Sequence, residues 1–86
     1  MTVTAEERSR RAREASAVRA ADAAAAGLRE ALARVGVVLP SLRASQPVDG
    51  NGHVELGGCN AGVATTLAEI LNEAADAVPA LRATVQ

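Results

Sequence analysis

The chain has 86 residues, 49% of them apolar and 22% charged, a formal net charge of −1, and neither Phe, Tyr nor Trp. That describes one small domain with an aliphatic core and no global field to recruit nucleic acid. The lone Cys59 excludes an intrachain disulfide and suits a reducing compartment.

MTVTAEERSRR has no apolar segment after its charges, so a signal peptide is not expected. No apolar run approaches the ~18 residues that a membrane span needs. The expected location is the cytoplasm. Residues 1–17 read as a charged helical end that frays, and 18–86 as a single small α+β domain.

One long helix is predicted from Ala5 to Val35. Thr4 suits the N-cap, with Glu7 three residues on completing a capping box. An apolar seam follows the 3-4 spacing of a helix lying along another helix: Val18, Ala21, Ala25, Leu28, Leu32 and Val35. It fails before Val18, where Glu7, Arg11 and Glu14 would occupy it. Arg8, Arg10, Arg11 and Arg13 could grip phosphates. However, Glu6–Arg10 and Glu7–Arg11 have the favourable order for helical ion pairs, so a self-satisfied, solvated face is expected. Gly27 weakens the helix interior, and Gly36 fits the C′ position that ends it.

Residues 37–45 read as a strand with Val38, Pro40, Leu42 and Ala44 on one face, Pro40 restricting it to an edge. The run 46–52, with Asp-Gly and Asn-Gly, reads as turn throughout. Residues 53–57 form the return strand, Val54 and Leu56 on one side and His53 and Glu55 on the other. Asn60 caps a last helix over 61–78, whose seam is Val63, Leu67, Ile70, Leu71, Ala74 and Val78. Pro79 ends it, or opens a short turn with Leu81.

The junction Gly57-Gly58-Cys59-Asn60 is the most suggestive segment for chemistry. Glycines between a strand and a helix can present amides to an anion, and a helix N-terminus activates a thiol. Neither nucleotide-binding glycine motif is present. The only His, His53, lies six residues back along an extended segment, too far to activate Cys59. His53, Glu55 and Cys59 do not make a zinc set. No catalytic residue, metal or cofactor is therefore expected, and the junction stays a candidate anion or ligand site.

Leu39-Pro40-Ser41-Leu42-Arg43 followed by Val54-Glu55-Leu56-Gly57-Gly58-Cys59-Asn60 and a short amphipathic helix resembles short actinobacterial proteins with an LPSLR…VELGxCN pattern. The resemblance covers roughly residues 36–72. It implies no activity and no catalytic or binding residue.

The layout read from the chain is α-β-β-α, with a core and a hairpin thin enough that pairing as a homodimer is expected. The leading functional reading is a non-enzymatic interaction and assembly module with itself and a protein as partners. Membranes and nucleic acid are not expected partners. One alternative is a small DNA-associated regulator or accessory protein of a mobile element, using the Arg-rich helix. Another is a small ligand binder or thiol enzyme using the Gly57–Asn60 junction.

Overall fold

A computed structural model describes residues 4–80. The order of elements is α1 (Ala5–Arg34), β1 (Arg43–Val48), β2 (Asn51–Glu55) and α2 (Ala61–Ala77). This is the α+β, helix–hairpin–helix layout expected from the sequence.

Helix α1 begins where its cap allows. Glu7 N donates to Thr4 Oγ1 at 3.1 Å, satisfying one of the first amides. Its end is a full Schellman turn. Gly36, at φ 74°, lets its amide reach Ala33 O at 3.1 Å, and Val37 N reaches Leu32 O at 2.9 Å. Val37 then packs on Leu32, the apolar contact that accompanies this motif. The last helical residue is Arg34, and Val35 is the C-cap. The helix runs unbroken across residue 17, and no residue from 4 to 16 is buried.

The hairpin differs from the expected one in the residues its strands use, β2 being Asn51–Glu55 and not 53–57. Residues 37–42 are not a strand. Leu42 N donates to Leu39 O at 3.1 Å, closing a turn with Pro40 at its second position, where a fixed φ is an advantage. Strand β1 instead uses the polar run Arg43–Val48, and only Asp49-Gly50 turns. Both turn residues have positive φ, 51° and 77°, as a two-residue hairpin loop requires. Pairing is antiparallel, with Arg43 opposite Glu55, Ala44 opposite Val54 and Ser45 opposite His53; the register slips between Ser45 and Val48. Pro47 falls within that bulge, where a missing donor does least harm.

Both strands lie against α1. The approach is closest at Gly52. A Cβ there would stand 2.6 Å from Ala17 O and 3.2 Å from Ala21 N, so only glycine lets the strand rest on the helix backbone. The buried line of α1 is accordingly Ala17, Ala21, Ala25 and Leu32, mostly small residues on one side. Val18 and Val35, expected in that seam, are exposed, and Leu28 is half-buried.

A second cluster, Leu32, Val37 and Leu42, joins the end of α1 to α2. Val37 is buried there with Leu42, whereas Val38, expected on the same face as Leu42, is 70% exposed. The turn at Pro40 breaks the two-residue alternation that put Val38 and Leu42 on one face. Arg29 donates to Leu42 O at 2.9 Å and ties the loop to α1. Asn60 Oδ1 accepts from Val63 N at 2.9 Å and starts α2. Val63, Leu67 and Ile70 pack on the cluster. No residue of α2 is buried, and Leu71 and Val78, expected in its inward seam, are 65% and 48% exposed. Leu81 lies outside the described residues.

Candidate functional site

The junction between β2 and α2 is built for close packing. Gly57 has φ 77°, and a Cβ on it would meet Ser41 Cβ at 2.5 Å. The Leu39–Arg43 turn and the Glu55–Asn60 segment, far apart in sequence, are thereby brought together at one glycine. Gly58 has open space where a Cβ would be. Asn60 spends its side-chain oxygen on the cap of α2. Cys59 is a free, exposed thiol. The geometry gives Gly57 and Asn60 structural tasks.

His53 and Glu55 point outward from β2, both exposed. Glu55 is held by Arg43, its opposite neighbour on β1, through bonds of 2.7 Å and 3.0 Å to Oε2. Among the described residues no group of three or more His, Cys, Asp or Glu side chains could hold a metal ion.

The first turns of α1 present Arg8, Arg10, Arg11 and Arg13 to solvent. The expected pairs Glu6–Arg10 and Glu7–Arg11 are not closed, whereas Arg43 and Glu55 do form an ion pair. Exposed partners on one helix gain little Coulomb energy and lose side-chain freedom on pairing. Arg10 and Arg13 instead border a cleft of about 490 Å³ between α1 and the hairpin tip, with Glu14, Gln46 and Asp49 on its other sides. Both signs of charge line it, so it does not focus a field on a phosphate backbone.

Half of the expected α1 seam lies where a partner could not reach it. Ala21, Ala25 and Leu32 are buried within the chain, where α1 packs on the hairpin and on the cluster before α2. The sequence reading missed Ala17 and Gly52, the pair that sets this contact. A glycine in a strand is a signal of close backbone approach, but Asn51-Gly52 also spells a turn, and that reading took precedence. Among the described residues the large aliphatic side chains that do face solvent are Val18, Val35, Val38, Val48, Leu56, Leu71 and Val78.

Comparison of the chain with protein-family models, with curated proteins and with solved structures gave no match. Among the described residues no helix is long and apolar enough to cross a membrane.

Proposed function

We propose that this chain is a small non-enzymatic interaction and assembly module that works in the cytoplasm as a homodimer. The observation that carries the reading is the unfinished core. Among the described residues, three of the six buried apolar residues are alanines, no large side chain is completely withdrawn from water, and seven large aliphatic residues are exposed. The radius of gyration is 17.1 Å, against ~12 Å for a compact domain of this length. A domain this small needs a staple, and with no disulfide available a second copy is the simplest one. The remaining exposed faces, on the hairpin or the helices, would serve a protein partner. Sedimentation at tens of micromolar should show a dimer or larger species. A well-folded monomer at that concentration refutes the reading.

A further inference from the structure

We infer that Asn51-Gly52, at the start of β2, is a deamidation site that the fold guards through the contact of the hairpin with α1. The chain holds three asparagines, and only Asn51 is followed by glycine. Deamidation begins when the amide nitrogen of the next residue attacks the asparagine Cγ, and a side chain on that next residue hinders the approach. Gly52 has none. Asn51 is exposed, beside the Asp49-Gly50 turn, so water and hydroxide reach its carboxamide. The other two asparagines are placed less well. Asn60 has its Oδ1 engaged by Val63 N and is followed by Ala61. Asn72 lies within α2, whose hydrogen-bonded backbone holds the Glu73 nitrogen in place.

The reaction needs only water. Hydroxide takes the proton from Gly52 N, that nitrogen bonds to Asn51 Cγ, and the bond from Cγ to the side-chain nitrogen breaks. The side-chain nitrogen takes a proton from water and leaves as ammonia, and a five-membered succinimide remains. Water then adds to one of the two ring carbonyls and breaks its bond to the ring nitrogen. Opening at the former side-chain carbonyl gives aspartate at position 51. Opening at the backbone carbonyl gives isoaspartate, in which the main chain runs through the former side chain.

The fold withholds the first step. Ring closure turns the Asn51–Gly52 peptide about the Asn51 Cα–C bond, out of the extended conformation of a strand. Asn51 pairs with Val48 and His53 with Ser45, so the strand is held on both sides of that peptide. Gly52 itself rests on α1, where a Cβ would stand 2.6 Å from Ala17 O. The peptide turns when the hairpin lifts from α1, a local opening that costs less than global unfolding. Isoaspartate makes that opening permanent. Its additional backbone methylene moves Gly52 along the strand, away from its seat against Ala17. Aspartate adds a charge at an exposed position and leaves the backbone as it was.

Incubating the full chain in mildly alkaline buffer, with and without guanidinium chloride, tests the site and its guard separately. Circular dichroism confirms the folded sample, and fragment mass spectra assign each amide-to-acid exchange to its residue. In denaturant Asn51 should convert ahead of Asn60 and Asn72. In the folded chain it should still convert first, but at least about tenfold more slowly than in denaturant. No preference for Asn51 overturns the site. Equal rates in the two samples overturn the guard, and failure to convert when folded overturns the local opening. The products test the consequence. The isoaspartate form, separated by chromatography, should melt below wild type, and Asn51→Asp should melt as wild type does. An isoaspartate form with an unchanged Tm overturns the displacement of Gly52.

Discussion

Two glycines separate conformational cost from packing necessity. Gly27 sits inside α1 with nothing within 4 Å of an added Cβ. Gly27→Ala should therefore stabilise the chain by about 1 kcal/mol, raising Tm by roughly 4–8 °C at fixed protein concentration. Gly52→Ala should do the opposite. Its Cβ would strike the Ala17 carbonyl at 2.6 Å, and a helix backbone cannot swing aside as a side chain can. The hairpin must lift from α1, at a cost of about 1–3 kcal/mol. Thermal melts of the two variants beside wild type check both. A neutral Gly52→Ala would mean that the strand does not rest on α1 at that point.

At the scale of elements, α1 is two helices in one. From Ala17 onward it holds the hairpin and the Leu32 cluster; before Ala17 it touches little. Leu32→Asp should cost several kcal/mol or unfold the domain, since it places a carboxylate among Val37 and Leu42 without a partner. Arg11→Ala, on the solvated turns, should change stability by less than about 0.5 kcal/mol. Denaturant midpoints measured side by side should differ accordingly, and equal midpoints would show the buried face of α1 to be elsewhere. At the other helix, Asn60→Ala removes the acceptor for Val63 N and should cost about 1 kcal/mol. Asn60→Asp should restore most of that, because a carboxylate caps equally well and suits the positive end of the helix dipole.

For the molecule as a whole, stability and assembly are one property. When folding is completed by association, mass action raises Tm with protein concentration. Melts over a hundredfold range of concentration should show Tm rising. A Tm that does not move would place all of the stability inside one chain. The mixed-sign cleft beside Arg10 and Arg13 has a separate consequence. Any retention on DNA should be weak, indifferent to sequence, and lost as salt rises to physiological strength. Tight, sequence-selective binding at that salt, abolished by replacing Arg10, Arg11 and Arg13 together, would instead favour a DNA-associated role.

The element order, both helix caps and the Gly36 terminator were legible in the chain because each is a local matter. A cap needs one oxygen three residues from an amide, and a Schellman turn needs one residue tolerant of positive φ. The Asp-Gly turn was legible for the same reason, although the turn was drawn too long and both strands were misplaced. In the chain Pro40 reads as part of an edge strand and Pro47 as part of the turn. Packing gave the first a turn between the clusters and the second a bulge in a strand. Periodicity also left a choice open on each helix. Alanine is apolar enough for either side of a seam, so Ala17 or Val18, and the inner or outer stripe of α2, could have faced inward. The choice depends on where another backbone can come close. The tertiary structure made it by laying Gly52 on Ala17 and Ala21, and by seating Val63, Leu67 and Ile70 on the Leu32 cluster. Leu71 and Val78 remain outside because the inner stripe already covers that small cluster.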